Sequence, residues 1–318
     1  MKESISLFLK GLAMGAANVI PGVSGGTIAL ITGIYEKLIY SLKSFDLKAI
    51  SYLFKFQFKE LAEHVNLRFL IALFLGVGVS IVSLAKLFKV LLENPDHEKW
   101  LMAFFFGLIL VSIYSVGRTV SKWTPTTIIG LAVGLIIAIL ISVLTPASEN
   151  SSFIYLILCG IVAICSMILP GLSGSFVLII MGNYKLVMVD AVSEFNMKVL
   201  IPVVIGSVVG LIAFSQILGW VFKHYRDLTI ASMTGFIIGS LSIIWPWKNA
   251  VYLMDETGVE LIRKGKKIVS GYEWYFPDFS ISHTWIAIGF ILLGAATIYL
   301  IERFANTQND SDTTPEGA

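Results

Sequence analysis

Two stretches of this chain carry the residues that could do chemistry: "PGVSGGT" from Pro21 to Thr27 and "PGLSGSF" from Pro170 to Phe176. Both lie in long apolar surroundings. Proline lacks an N–H and ends a helix, glycine permits a sharp turn, and a serine just after them can cap a new helix. In hydrocarbon an unpaired backbone group is costly, so a broken helix survives only inside protein or beside a wet cavity. The pattern predicts a helix ending at Ile20, a turn through Pro21 and Gly22, and a new helix from Gly25 under a Ser24 cap. The amides of Ser24, Gly25, Gly26 and Thr27 would then face outward with no side chain in the way, an arrangement suited to an anion. Pro170, Gly171, Ser173, Gly174 and Ser175 should build a counterpart. A nucleotide-type phosphate loop is excluded, because no Gly-Lys-Ser/Thr follows either motif.

Few other polar residues reach the same depth. Asn18 precedes the first break and has Met167 as its counterpart. Tyr35 and Tyr184 close the two motifs and either hydrogen-bond across the site or sit in an aromatic belt. Lys86, late in an apolar run, either lends charge to a bound anion or snorkels to the interface. Arg118, at the end of another run, either meets an anionic headgroup or anchors the topology. Asp190 and Glu194 fall outside the second motif and are expected to be solvated.

The elements that must position these residues are membrane helices. The 318 residues are 56% hydrophobic and 14% charged, with a mean hydropathy of +0.84. Soluble domains hold roughly 25% charged residues. Leu67–Leu92, Trp100–Gly117, Thr126–Thr145, Val199–Phe222, Leu228–Trp247 and Thr284–Ile301 are apolar runs. Each suits the roughly 20 residues that cross a bilayer as a helix. The fold class is an all-α polytopic membrane protein with the lipid bilayer as its partner. The first apolar stretch is read as a retained helix rather than a cleaved signal.

A net charge of +2, without basic clusters interleaved with aromatics, argues against nucleic acid. Cys159 and Cys165 lack a CxxC spacing or a nearby histidine and read as small core residues. His64, His97, His224 and His283 all fall in or beside polar loops, and no HExxH or paired intramembrane carboxylate exists. No catalytic residue, metal or cofactor is expected.

The chain repeats itself. The motifs lie 149 residues apart, and seven of fifteen positions agree between Pro21–Tyr35 and Pro170–Tyr184. Gly11 matches Gly160 at that offset, "NLRFLIALFLG" from Asn66 faces "NMKVLIPVVIG" from Asn196, and "FGLILVSI" from Phe106 faces "TGFIIGSL" from Thr234. Half-chain duplication is a habit of transporters. Each half (1–150 and 151–303) reads as a broken or re-entrant helix pair followed by three transmembrane helices. An odd number of net crossings per half turns the second half over, giving an inverted-topology repeat. Lysine and arginine bias puts both termini on the cytoplasmic side of the cell membrane. The long 248–283 loop breaks that bias. It reads as extracytoplasmic, with a β-hairpin around Lys264 and Gly265, and residues 304–318 read as a disordered tail.

The doubled PGxSG, "FFGLILVSI" and "SLSIIWPWK" resemble the PopT family of polyprenyl-phosphate transporters, from about Ser6 to Arg303. That resemblance implies a flippase that returns undecaprenyl phosphate from the outer to the cytoplasmic leaflet for reuse in cell-wall polymer synthesis. The family motif falls on Pro21, Gly22, Ser24, Gly25 and Gly26, and on Pro170, Gly171, Ser173 and Gly174. Ser175 stands where a second glycine is expected and Phe176 where Thr27 stands, so the second site is bulkier. The residues alone also suit a secondary transporter of a small soluble anion, or a scaffold for membrane assemblies. For a lipid substrate, only the head is expected to enter the protein.

Overall fold

The computed structural model describes residues 2–19, 24–93, 95–144, 147–252, 262–263, 266–267 and 269–312. Pro21 and Gly22 lie outside the described residues, as do Lys264 and Gly265. In chain order the helices are α1 (Lys2–Val19), α2 (Gly25–Ile31), α3 (Tyr35–Lys43), α4 (Leu47–Phe54), α5 (Phe58–His64), α6 (Leu67–Glu93) and α7 (Pro95–Gly117). They continue as α8 (Pro125–Ser142), α9 (Phe153–Ile168), α10 (Gly174–Ile180), α11 (Ala191–Ser193), α12 (Met197–His224), α13 (Arg226–Ser240) and α14 (Ser282–Asp312). A π-helical stretch at Lys185–Asp190 precedes α11. Among the described residues five helices, α6, α7, α8, α12 and α14, are long and apolar enough to cross a membrane. The chain is a mostly helical, polytopic membrane protein.

Three elements depart from the sequence reading. The span predicted at Leu228–Trp247 is shorter: α13 has 15 residues, about 22 Å at roughly 1.5 Å per residue. Ser240 and Ser242 donate their hydroxyls to the carbonyls of Ile237 and Gly239, both at 2.7 Å. Pro246 then bars further helix. At the C-terminus α14 continues to Asp312, past the point where composition predicted disorder. Extending a helix already nucleated in a span adds one hydrogen bond per residue fixed, which outweighs the polar composition. The segment after α3, outside the apolar runs read from the sequence, holds α4 and α5. Asp46 caps α4 by accepting from the Lys48 and Ala49 amides at 3.0 Å each. Leu47, Phe54 and Phe56 are 84%, 78% and 78% exposed beside Lys48, Lys55 and Lys59, the pattern of helices lying in an interface.

In the long loop β1 (Lys248–Tyr252) pairs antiparallel with β4 (Val269–Trp274), and β2 (Ile262–Arg263) with β3 (Lys266–Lys267). Tryptophans tie its base. Trp245 and Trp274 donate their indole N–H groups to the carbonyls of Tyr275 and Ser242, at 3.2 and 3.0 Å.

The close helix crossings are built twice. A Cβ added at Gly11 would fall 2.1 Å from the Leu73 carbonyl oxygen, and one at Gly160 would fall 2.2 Å from that of Val203. Gly76 and Gly206 reciprocate against the oxygens of Phe8 and Ile157, at 2.2 and 2.1 Å. Thus α1 crosses α6 as α9 crosses α12. The small residue changes sides only one turn further on, where Gly15 meets Ser80 but Ile164 meets Gly210. In the same way α7 meets α14 at Gly107 and Gly294, and α13 meets α8 at Gly235 and Gly134. Such contacts bring backbones together for dispersion and weak Cα–H···O bonds, which hold apolar helices in lipid. Both short helices also end alike, on Gly33 and Gly182 at φ +71° and +73°. There Ile34 and Asn183 donate amides to Ala29 and Leu178, both at 3.0 Å, a left-handed cap that glycine favours. Because α4 and α5 have no counterpart, the offset between halves falls from 149 at α1 to 130 at α6.

One tie on the polar edge carries a pH test. The Ser121 and Lys122 amides donate to the Asp227 carboxylate at 3.1 Å each, holding the α7–α8 turn to the start of α13. These donations keep the Asp227 pKa below its usual range. The stabilisation is fully present above the ordinary carboxylate pKa and is lost as pH falls through the lowered folded value. Thermal unfolding in detergent should show an acid-side loss of stability that flattens in Asp227→Asn.

Candidate functional site

The helix after the first break starts where the motif suggests. Ser24 has extended backbone, φ −115° and ψ 130°, and its hydroxyl oxygen accepts from the Gly26 amide at 3.2 Å. The neighbouring amides are not bare, however. Asn18 reaches over from the end of α1 and accepts from the Gly25 amide at 2.8 Å, while the Thr27 amide donates to the Ser24 carbonyl at 3.0 Å. A buried helix start leaves donors that must be paired, and here the motif supplies the partners itself. Moreover α2 and α10 have seven residues each. Two turns give a small dipole, so the chemistry of the place rests on individual donors.

The two motifs touch. The Ser24 hydroxyl donates to the Leu169 carbonyl at 3.2 Å, and the Tyr35 hydroxyl to the Ile168 carbonyl at 3.0 Å. In the opposite sense the Gly171 amide donates to the Thr27 hydroxyl at 3.0 Å. Gly26 lies against the second motif so closely that an added Cβ would be 2.7 Å from the Ile168 oxygen. Ser24, Thr27 and Ser173 are 2%, 0% and 7% exposed. Residues 145 apart in sequence thus form one buried polar junction. It rests on a core shared by Met14, Ala17, Ile28, Ala29 and, from α13, Ile230 and Ile237.

The second motif is folded differently. Ser173 does not cap its helix; its hydroxyl lies 2.8 Å from that of Ser175, the residue standing where the first motif has Gly26. Gly171 adopts φ +82° with its Cα against the Phe236 backbone of α13, where an added Cβ would meet the carbonyl carbon at 2.5 Å. Met167 packs over Gly174 as Asn18 packs over Gly25. An apolar side chain in place of a carboxamide leaves the second helix start without that acceptor. Pro170, buried, leads into this turn.

The remaining candidates separate. Tyr184 packs with Leu156 and Leu178 in the second core cluster rather than across the junction. Arg118 is exposed beyond α7, over the Tyr114 ring at 5.4 Å. Lys86 belongs to α6, and its side chain lies outside what the structure describes. Asp190, expected to be solvated, pairs with Lys185 at 3.3 Å.

Two contributors escaped the sequence reading. The carbonyls of Ile168 and Leu169 take the donors of the first motif, and no side chain signals a carbonyl. Lys10 is half-buried in α1 and donates to the Thr32 carbonyl at the end of α2, at 2.9 Å. A cation there complements the helix end. A lone lysine among Leu7, Leu9 and Leu12 was a readable sign of a charge that needs a partner at depth.

Comparison with known proteins agrees over most of the chain. Residues 14–261 match the family described as VCA0040-like, undecaprenyl phosphate translocase-like. A polyprenyl-phosphate transporter of Vibrio cholerae is 38% identical over 301 residues, covering 95% of this chain and 97% of that protein. A polyprenyl-phosphate transporter of Staphylococcus aureus is 34% identical over 257 residues, covering 75% and 85%. No solved structure matches the chain.

Proposed function

Since this chain belongs to the undecaprenyl phosphate translocase-like family, we propose that it is a flippase returning undecaprenyl phosphate from the outer to the cytoplasmic leaflet. There the carrier lipid re-enters cell-wall polymer synthesis. The observation that carries this reading is the buried junction of the two motifs. The Ser24 and Tyr35 hydroxyls and the Gly171 amide each donate a hydrogen bond to an uncharged oxygen there. A phosphate oxygen is a better acceptor, charge-assisted hydrogen bonds being about twice as strong as neutral ones. The headgroup enters by exchanging those partners for its own oxygens, with the Gly25 and Gly26 amides released by Asn18 and Ser24. The site comprises Ser24, Gly25, Gly26, Thr27, Ser173, Gly174 and Ser175, shaped by Pro21, Gly22, Pro170 and Gly171.

The twice-built crossings support an inverted-topology repeat with both termini cytoplasmic. Under that symmetry the junction opens toward either leaflet while its lining stays the same. The prenyl tail never needs the polar junction. An apolar groove of about 420 Å³ between α3, α6 and α12, lined by Leu42, Phe45, Leu70, Phe74 and Leu211, lies where the halves meet. An apolar groove there favours a lipid over a small soluble anion.

Proteoliposomes holding only this protein test the reading. They should move labelled undecaprenyl phosphate between leaflets and leave phosphate and sulfate behind. The double variant Ser24→Ala, Thr27→Val should transport at least about tenfold more slowly, since each charge-assisted bond lost is worth about 1.5–3 kcal/mol. Unchanged lipid transport in that variant would refute the site, and movement of the free anions without the lipid would refute the substrate.

A further inference from the structure

At the N-terminal end of α1 lies a second place built for an amphiphile. A cavity of about 520 Å³ opens between α1, α3, α5 and the first turn of α6. Lys37, Lys59 and Arg68 line it, against Glu3 and Glu63. The Lys37–Glu3 pair is loose, at 3.5 Å with side chains 48% and 75% exposed, and exposed pairs of this kind hold weakly. Arg68 is turned into the cavity wall by donating to the Ser4 hydroxyl at 3.3 Å. Lys59 makes no ion pair among the described residues. The balance is one excess positive charge, with donors in reach of a small anion.

Beside the cavity lies an apolar groove of about 630 Å³ along α1 and α6, and the two share Ser4, Ala62, Leu67 and Arg68. Ile5, Phe8, Ile71 and Leu75 line the groove. Ile5, Ile71 and Leu75 are 56%, 50% and 57% exposed. A charged chamber beside an open apolar groove, the two sharing four lining residues, has the layout of a lipid with an anionic head and a single long chain. Its depth agrees. The neighbouring α4 and α5 present Phe54, Phe56 and Phe58 outward beside their lysines, the composition of the headgroup layer.

We infer that this cavity and groove form a docking site for an isoprenoid monophosphate, with phosphate among Lys37, Lys59 and Arg68 and chain along Ile5, Phe8, Ile71 and Leu75. The site is separate from the motif junction and holds the lipid at the membrane surface before or after it crosses. The choice of an isoprenoid lipid rests on the transport reading; the anionic, single-chain chemistry does not.

The test uses the full-length protein in phosphatidylcholine nanodiscs with an undecaprenyl monophosphate analogue carrying a diazirine beside the phosphate. Adducts mapped by mass spectrometry should fall on the α1 segment around Glu3–Leu7, on Lys37 and on Lys59–Phe69. Lys59→Gln and Arg68→Gln should each lower that labelling roughly tenfold, the worth of one charge-assisted bond, whereas Lys99→Gln should leave it unchanged. Millimolar inorganic phosphate should compete poorly. Labelling of these segments that ignores both variants, or that free phosphate abolishes, overturns the proposal. So does labelling confined to the motif segments with transport intact, which leaves the transport reading standing. Labelling here in a protein that moves no lipid would support the dock and defeat the transport reading instead.

Discussion

Replacing Gly26 with valine should abolish lipid transport while the protein still folds and inserts. The added Cβ would meet the Ile168 carbonyl oxygen at 2.7 Å, and that oxygen belongs to backbone at the end of α9 that cannot rotate away. The two motifs must separate by several tenths of an ångström or more. Both donations from the first motif, Ser24 to Leu169 and Tyr35 to Ile168, lengthen together. Where a site works by positioning, a displacement near 1 Å can lower a rate by about a hundredfold, so residual transport of about one per cent is expected. Gly25→Leu should be milder. The nearest atoms to its Cβ belong to the Asn18 carboxamide, at 2.8 Å, and a side-chain end can swing aside. Proteoliposome transport per mole of reconstituted protein, with gel filtration to show folding, checks both. Full transport by the Gly26 variant would mean that the junction does not touch substrate.

Leucine at Gly107 or Gly294 should instead prevent the fold. At these positions an added Cβ would lie 1.9 Å from the Ile291 and Phe104 oxygens, on opposite sides of one α7–α14 crossing. Neither backbone can yield without driving the helices apart. Overpacking of well-packed cores costs about 1–3 kcal/mol even where side chains absorb it, and a native protein holds only about 5–15 kcal/mol in reserve. The matched control is Gly289→Leu, at a glycine of α14 with nothing within 4 Å of the added Cβ. That variant should fold normally, since leucine is the better helix former. Yield of monodisperse protein in detergent and its melting temperature separate the two cases. Equal behaviour of Gly107→Leu and Gly289→Leu would show that the crossing does not hold the bundle together.

Those glycines also mark what was legible in the sequence. The duplication was readable because Gly11 and Gly160 keep one offset, and both make the same contact with a carbonyl of a partner helix. The Ser24 cap was readable because a serine beside a broken helix has few other uses, whereas Asn18 was marked only by its depth and not as the acceptor for the Gly25 amide. The closed junction was not readable, since its acceptors are main-chain carbonyls, which every residue possesses. Nor was the divergence of the second motif fully visible. Ser175 announces a bulkier site, but that its hydroxyl would draw Ser173 away from capping depends on a geometry 2.8 Å wide. The end of α13 turned on serine hydroxyls competing for helix carbonyls, a local choice that an apolar run conceals.

The most direct measurement is the position of the phosphorus atom in a structure of the lipid-saturated protein with undecaprenyl phosphate bound. The expected result places it within hydrogen-bonding reach of the Ser24 hydroxyl and the Gly25 and Gly171 amides, with the Ser24–Leu169 and Thr27–Gly171 bonds opened. Headgroups found only elsewhere, over a junction still closed by those bonds, would contradict it.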